Sequence, residues 1–137
     1  MNLLIVDDEY LVVEEVVTVT DWELLGITEI YSATNAVSAV RILNEKKIDI
    51  MICDIEMPQT DGLELSKKAK ENFPDLEIVM LTSHAEFNYV RNALRYGCYD
   101  YLLKPVMEDD IIKVMKNLVT KIERERHQAQ LQEEGIV

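Results

Sequence analysis

Hydrophobic and polar positions along this chain form two alternating patterns, short apolar runs and longer segments with helical spacing. The apolar runs predict five strands, which lie at residues 3–6, 29–33, 48–53, 76–81 and 98–103. The run from Ile48 to Cys53 is interrupted only by Asp49. Such a nearly continuous run predicts the central strand of a sheet that helices cover on both faces.

The segments between the strands predict helices whose apolar side chains share one face. The first helix is marked by Leu11, Val12, Glu14, Glu15, Val16 and Val19, and it closes around Gly26. The second is capped by Thr34 or Asn35, and its apolar face carries Ala36, Val37, Val40 and Leu43.

Three further helices follow the later strands. The third is predicted over Gly62–Asn72 with Pro74 as its stop, and the fourth over Glu86–Tyr96, ended by Gly97. The last begins at Glu108, and its apolar stripe consists of Ile111, Val114, Met115, Leu118 and Ile122.

Strict alternation of strands and helices predicts an α/β fold built from repeated βαβ units. We expect a flavodoxin-like, doubly wound (βα)5 domain with a five-stranded parallel sheet in the order 2-1-3-4-5, because right-handed crossovers make the strands parallel. The carboxyl ends of all the strands then lie along one edge of the sheet. Folds of this class bind their ligands at that edge.

Composition is typical of a folded domain and excludes several partners. The 137 residues suffice for one domain, and an apolar fraction of 48% supports a packed core. A formal net charge of −12 argues against direct binding to nucleic acid or to an anionic membrane, since both require a basic surface.

Cys53 and Cys98 lie inside apolar runs and are predicted to be buried free thiols. Because the sequence shows neither a signal peptide nor a membrane-spanning run, we expect a cytoplasmic protein.

Polar residues follow four of the predicted strands. Asp7 and Asp8 follow the first, Asp54 the third, Thr82 the fourth and Lys104 the fifth. The first and third strands are neighbours in the expected order, so the three carboxylates are predicted to converge. Crowded carboxylates raise one another's pKa and cost stability unless a cation neutralises them. Mg²⁺ is favoured because it takes oxygen ligands and accepts a phosphate oxygen as a further ligand.

Helix capping is a simpler interpretation of the acids after the first strand. Asp7, Asp8 and Glu9 precede a helix whose dipole favours negative charge at its start, and for Glu9 we prefer this interpretation. For Asp54 a plain turn is the weaker explanation, because the upstream acid pair and the downstream lysine would then be coincidences.

Four motifs together identify a resemblance to a known family. VDDE near the N-terminus, DIEMPQTDG in the middle, LTSH and YLLKP resemble, in order and spacing, the motifs of receiver domains from bacterial two-component response regulators. The resemblance covers roughly residues 2–122. We therefore divide the chain into a receiver domain at 1–122 and a polar helical extension or linker at 123–137.

The resemblance implies a signalling domain that catalyses its own phosphorylation and dephosphorylation, rather than an enzyme. Such domains take a phosphoryl group from a sensor histidine kinase or a phosphotransfer protein. By this resemblance Asp54 is the phosphoacceptor, Asp8 a direct Mg²⁺ ligand, and Asp7 a ligand through water or a positioning group. The backbone carbonyl of Glu56 completes the metal shell. Lys104 contacts a phosphoryl oxygen, and its peptide bond to Pro105 resembles one that is cis in receivers.

The resemblance also implies switch and tuning residues. Thr82 donates its hydroxyl to a phosphoryl oxygen, and Tyr101 changes rotamer as Thr82 moves, although a half-buried structural aromatic is the simpler interpretation of Tyr101. Ser83 leaves space beside the phosphoryl group, while Glu56 and His84 tune hydrolysis of the acyl phosphate. A solvated loop histidine is an equal alternative for His84. The output face is expected to be the surface formed by the fourth helix, the fifth strand and the fifth helix.

Two other functions compete with this hypothesis. A Mg²⁺-dependent aspartyl-phosphate phosphatase also uses an Asp nucleophile, usually with a second acid two residues later, and Glu56 stands at that offset from Asp54. A flavin carrier requires a phosphate-binding loop after the first strand, and the acidic sequence there would repel a flavin phosphate.

Two segments of the chain resemble a particular class of receiver and so indicate the output. The segment Thr20-Asp21-Trp22 with Gly26, and a last helix that continues into a charged tail, resemble receivers that precede an AraC-type helix-turn-helix domain. DNA contact is thus expected only through a C-terminal domain outside this chain, and control of transcription as the output. A stand-alone module is the alternative, and the receiver of a transcription regulator is preferred. The apolar stripe of the last helix leaves open a homodimer, but packing of this helix on the sheet is preferred.

Overall fold

Five parallel strands form one sheet in the order β2-β1-β3-β4-β5. The strands are β1 (Asn2–Val6), β2 (Glu29–Ala33), β3 (Ile50–Asp54), β4 (Glu77–Thr82) and β5 (Asp100–Leu103). This computed structural model describes residues 1–57, 61–83 and 87–135, and only the backbone at 87–90. The predicted flavodoxin-like fold and strand order are confirmed.

Within the described residues, five helices connect and follow the strands, and a short 3-10 helix closes the first crossover. The helices are α1 (Tyr10–Thr18), α2 (Ala36–Glu45), α3 (Gly62–Asn72), α4 (Phe87–Arg95) and α5 (Glu108–Glu133), and the 3-10 helix spans Trp22–Leu25. The indole nitrogen of Trp22 donates to the carbonyl of Val16 at 3.1 Å. Gly26 ends the 3-10 helix with φ +89°, a conformation that glycine adopts without strain.

The sheet separates two apolar layers, as the period of two along each strand requires. On one face Leu3 and Ile5 pack with α1, the 3-10 helix and α5, and on the other face Leu4 and Val6 pack with α2 and α3. Every residue of β3 and β4 is buried. β3 also stands in the middle of the strand order, so it is the central strand, as predicted.

The predicted apolar faces of the first two helices are partly wrong. In α1 the buried residues are Val13 and Val16, whereas Leu11 is 71% exposed. In α2 the described structure buries Ala39 and Leu43, while Val37 and Val40 are 72% and 44% exposed. Helical spacing allows two neighbouring stripes on α2, and contact with the sheet selects the one that includes Ala39.

Helix α5 carries the predicted apolar stripe and continues well beyond it. Ile111, Val114, Met115, Leu118 and Ile122 are all buried. After Ile122 the helix runs to Glu133 with almost entirely exposed side chains. The division of the chain after residue 122 stays a prediction. None of the helices in the described residues is both long enough and apolar enough to span a bilayer.

Candidate functional site

Three carboxylates meet where β1 and β3 end side by side. Asp7 and Asp8 follow β1, and Asp54 is the last residue of β3. One carboxylate oxygen from each of the three lies within 4.8 Å of the others. Neighbouring parallel strands bring their carboxyl ends to the same edge, so residues far apart in the sequence are placed together by the fold itself.

Two of these carboxylates are buried and accept hydrogen bonds from backbone N–H groups. Asp7 is 0% exposed and Asp54 is 2% exposed, whereas Asp8 is exposed. Oδ1 of Asp7 accepts the backbone N–H of Glu9 at 2.9 Å, and Oδ1 of Asp54 accepts that of Glu56 at 3.2 Å. Glu9 occupies the N-cap position of α1 without a capping bond from its side chain. The N–H of Glu9 is thus satisfied by Asp7, which combines a local structural contact with its place in the acidic cluster.

Lys104 brings a cation to the two buried carboxylates. Its ammonium nitrogen lies 2.7 Å from Oδ2 of Asp7 and 3.3 Å from Oδ1 of Asp54. The backbone N–H of Lys104 donates to the carbonyl of Thr82 at 2.8 Å, and the Lys104–Pro105 peptide is cis, as the sequence resemblance implied. Burial lowers the pKa of Lys104, but its hydrogen bond to Asp7 and the charges of Asp54 and Asp7 outweigh burial and raise the pKa above its ordinary value.

Asp54 titrates under opposing influences. Burial and the negative charge of Asp7 raise its pKa from 3.8 to about 6, against the lowering effects of Lys104 and of the Glu56 N–H. The environment therefore penalises the ionised carboxylate even with the lysine in contact. A further cation in the cluster relieves this penalty.

Gly62 also belongs to the site, although its position in the sequence did not indicate this. A Cβ at Gly62 would lie 1.8 Å from the backbone carbonyl oxygen of Asp54. The N–H of Gly62 donates to the carbonyl of Ile55 at 3.0 Å, and the side chain of Asp61 caps α3 through Leu63 N–H at 2.9 Å. The start of α3 therefore packs directly on the strand end that carries Asp54. The Asp-Gly pair alone signals a helix start, not this contact.

The remaining predicted site residues surround this cluster. Thr82 is buried at the end of β4. Met80 is paired with Tyr101 across β4 and β5, and since alternate residues share a face, Thr82 lies on the same face as Tyr101, which is partly buried. A cleft of about 330 Å³ is lined by Asp8, Glu9, Asp54, Glu56, Met57, Ser83 and Lys104. His84 lies outside the described residues.

The donor set of the cluster fits Mg²⁺. Its ligands would be carboxylate oxygens, which this hard cation prefers, and one oxygen from each of the three acids lies within 4.8 Å of the others. The exposure of Asp8 and the open cleft leave room for the several waters that Mg²⁺ retains. The arrangement can hold one divalent cation beside Asp54.

Comparison with known proteins agrees with the fold. Residues 3–116 match the sequence profile of the response regulator receiver domain family. The chain is 34% identical over 124 residues to the transcriptional regulatory protein YesN of Bacillus subtilis, covering 90% of this chain and 34% of YesN. It is 32% identical over 127 residues to the response regulator SaeR of Staphylococcus aureus, covering 93% of this chain and 54% of SaeR. The chain thus spans about a third to a half of these relatives.

Solved structures give the same result. The receiver domain of AraT, a response regulator from Geobacillus stearothermophilus, superposes with a TM-score of 0.84 at 30% identity, covering 91% of this chain and 97% of that one. A two-component transcriptional regulator AraC from Clostridium phytofermentans superposes with a TM-score of 0.84 at 23% identity, covering 92% and 98% of the two chains. The second likeness extends to the fold alone.

Proposed function

The chain belongs to the response regulator receiver domain family, and on that premise we propose that Asp54 accepts a phosphoryl group from a phosphohistidine. One observation carries the proposal. Two buried carboxylates, an exposed carboxylate and a lysine ammonium converge at one edge of the sheet, although they come from three different strand ends. A carboxylate attacks phosphorus only when fixed positive charge offsets the charge of the phosphoryl oxygens.

Asp8, Asp54 and the backbone carbonyl of Glu56 would hold Mg²⁺, with Asp7 as a ligand through water or as a positioning group. The bound ion would neutralise charge on the phosphoryl oxygens. The protein itself contributes position and electrostatics. The Glu56 N–H holds Oδ1 of Asp54, which leaves the other oxygen of that carboxylate available for attack on phosphorus in line with the leaving imidazole.

Lys104 and Thr82 serve the phosphorylated state in this proposal. Lys104 would transfer its contact from Asp54 to a phosphoryl oxygen, and the hydrogen bond between its backbone N–H and the Thr82 carbonyl ties these two residues together. The hydroxyl of Thr82 would donate to another phosphoryl oxygen. Phosphorylation adds nearly two negative charges and strong hydrogen-bond acceptors. Both side chains would therefore move toward the phosphoryl oxygens.

Movement of Thr82 would reach the output face through Tyr101. The two residues share one face of the sheet on neighbouring strands, and this supports a change of Tyr101 rotamer linked to Thr82. The surface of α4, β5 and α5 is then the face that changes. Ser83, Glu56 and His84 would set the lifetime of the acyl phosphate.

The donor would be a sensor histidine kinase or a phosphotransfer protein, and the output would be transcription. YesN is named as a transcriptional regulatory protein and SaeR as a response regulator, and the chain covers only 34% and 54% of their lengths. The resemblance of the Thr20-Asp21-Trp22 segment, Gly26 and the long last helix to receivers of that type supports an AraC-type DNA-binding domain as the output. A receiver at 1–122 followed by an extension at 123–137 fits this arrangement.

Phosphorylation with a small phosphodonor tests the proposal. Incubation with Mg²⁺ and acetyl phosphate is expected to add one phosphoryl group, measured by intact mass. Asp54→Asn should abolish the addition, and Asp75→Asn, which changes an exposed acid after α3, should leave it intact. Labelling of the Asp54→Asn variant at another residue would contradict the assignment. Sustained release of phosphate from phosphate esters, independent of Thr82 and Lys104, would instead identify a phosphatase.

A phosphoryl mimic tests the switch separately from the chemistry. Beryllofluoride with Mg²⁺ is expected to change amide exchange on α4, β5 and α5 and leave α2 unchanged. Sedimentation of the same samples measures whether a homodimer forms. Unaltered exchange on the output face, with the mimic shown to be bound, would contradict the proposed switch.

A further inference from the structure

Two buried carboxylates lie at the edge of the sheet opposite the acidic cleft. Asp49 precedes β3 and is 6% exposed, and Glu77 is the first residue of β4 and is 8% exposed. The backbone N–H of Glu77 donates to the carbonyl of Asp49 at 3.1 Å, so the two residues are neighbours. Neither belongs to the proposed phosphorylation site, and the sequence marked Asp49 only as an interruption in an apolar run.

Helix α5 supplies a cation to each carboxylate. Oδ1 of Asp49 accepts a hydrogen bond from the guanidinium of Arg126, while Oδ2 accepts the backbone N–H of Asn2 at 2.7 Å. Oε1 of Glu77 lies 3.0 Å from the ammonium of Lys121 and 3.7 Å from that of Lys70. We call the two pairs from α5, Asp49–Arg126 and Glu77–Lys121, the basal clamp.

The clamp acts where packing of α5 stops. Ile122 is the last buried residue of this helix, yet the helix continues to Glu133. An isolated polar helix of this length is marginal in water, because helix formation needs a costly nucleus and tertiary support. Arg126 lies about one turn beyond Ile122 and ties the exposed segment to the sheet.

Burial of the two carboxylates makes the energetic contribution of these ion pairs substantial. Ion pairs between two exposed side chains contribute little. Here the carboxylates are buried, so loss of Arg126 removes the cation that contacts Asp49, and loss of Lys121 leaves Glu77 with only its longer contact to Lys70 at 3.7 Å. Backbone hydrogen bonds fix the positions of both acids. The side chains of Lys121 and Arg126 must therefore extend from α5 to reach them.

We propose that the basal clamp fixes the direction in which α5 leaves the domain, so that Glu123–Glu133 is a rigid arm. This inference goes beyond the proposed function, because it holds whether or not Asp54 is phosphorylated. The clamp attaches the arm to β3 and β4, the two strands that end at Asp54 and Thr82. A segment joined to the arm is thereby oriented relative to the strands that carry the site.

Distance measurements between spin labels test the proposal in the absence of Mg²⁺ and phosphodonor. Labels are attached at Glu45→Cys on α2 and Gln128→Cys on the arm, both exposed positions, and intact mass verifies that the buried native cysteines stay unlabelled. The parent protein is expected to give a narrow distance distribution. The double variant Lys121→Met, Arg126→Met should broaden it at least twofold and speed amide exchange in the arm at least tenfold.

Matched controls separate the clamp from general effects on the helix. Arg124→Met removes an exposed arginine on the same helix and should leave the distribution narrow, whereas Asp49→Asn, which keeps a side-chain oxygen for the Asn2 N–H, should broaden it. Circular dichroism verifies that the domain stays folded. An equally narrow distribution in the folded double variant would overturn the proposal. Because these measurements need no phosphoryl chemistry, they are independent of the outcome for Asp54.

Discussion

The ammonium nitrogen of Lys104 lies 2.7 Å from Oδ2 of Asp7, although two strands of the sheet separate β5 from β1. The same nitrogen lies 3.3 Å from Oδ1 of Asp54. One lysine thus neutralises part of the charge on two buried acids. A divalent cation entering this cluster meets a site whose negative charge the lysine has already reduced.

Removal of that lysine charge is expected to strengthen Mg²⁺ binding. In Lys104→Met the ion no longer meets repulsion from the ammonium, and at these distances the gain is about tenfold in affinity, or about 1.4 kcal/mol. Isothermal titration measures the change. Phosphorylation from acetyl phosphate should fall in the same variant, since Lys104 is proposed to contact the phosphoryl group. Lys116→Met, which removes an exposed charge on α5, should alter neither quantity, and weaker Mg²⁺ binding by Lys104→Met would contradict the electrostatic argument.

Asp54 makes the metal-free protein less stable as pH rises. Its folded pKa of about 6 exceeds the ordinary 3.8, so the folded state binds the proton more tightly than the unfolded state. The resulting stabilisation is complete below pH 4 and is lost as pH rises through about 6. At pH 7.5, without Mg²⁺, Asp54→Asn should therefore raise the free energy of unfolding by on the order of 1–2 kcal/mol.

Urea unfolding from pH 4 to pH 8 measures this effect. The advantage of Asp54→Asn over the parent protein should grow across that interval and shrink when Mg²⁺ is added, because the ion stabilises the ionised parent cluster. Asp75→Asn serves as the control at an exposed acid. A constant difference between Asp54→Asn and the parent at all pH values would contradict a raised pKa.

The contact of Gly62 with Asp54 predicts an unusually costly substitution. In Gly62→Ala the new Cβ would lie 1.8 Å from the Asp54 carbonyl oxygen, and the backbone of α3 or of β3 must shift. We expect a loss of about 3 kcal/mol or more in unfolding free energy together with weaker Mg²⁺ binding. Gly97→Ala is the matched control, since its φ is +89° but the nearest atom lies at 3.7 Å. It should cost only about 1–2 kcal/mol and leave Mg²⁺ binding unchanged.

The sheet and the acidic cluster could be predicted from the sequence because both follow from short-range patterns and chain topology. Strand and helix starts agree with the structure to within about two residues, and α3 has the predicted limits of Gly62–Asn72. Once the strand order is known, the carboxyl ends of β1 and β3 are adjacent. The proximity of Asp7, Asp8 and Asp54 then requires no further information.

Other features depend on tertiary contacts that no local pattern contains. Val37 and Val40 are exposed because the sheet accepts a neighbouring stripe of α2. The pairing of Asp49 with Arg126 joins residues 77 positions apart, and each residue alone resembles an ordinary surface charge. The close approach of Gly62 to Asp54 depends on where α3 begins relative to β3 in space, which the sequence does not specify.

The two cysteines are expected to report opening of the core by their reactivity. Burial raises the pKa of Cys53 far above its ordinary value, and burial, only partly offset by Lys70, raises that of Cys98 from 9.0 to about 11. Since the thiolate is the reactive form, a shift of this size lowers the thiolate population of Cys98 at pH 8 about 100-fold. Burial then also restricts access of the reagent.

Iodoacetamide should therefore modify neither cysteine of the folded protein on the timescale of a free thiol. It should modify both cysteines in 6 M guanidinium, as measured by intact mass. Because Cys53 is 0% exposed and Cys98 is 6% exposed, Cys98 should react first as denaturant rises, and reaction of Cys53 in the fully folded protein would show that β3 opens more readily than its burial indicates.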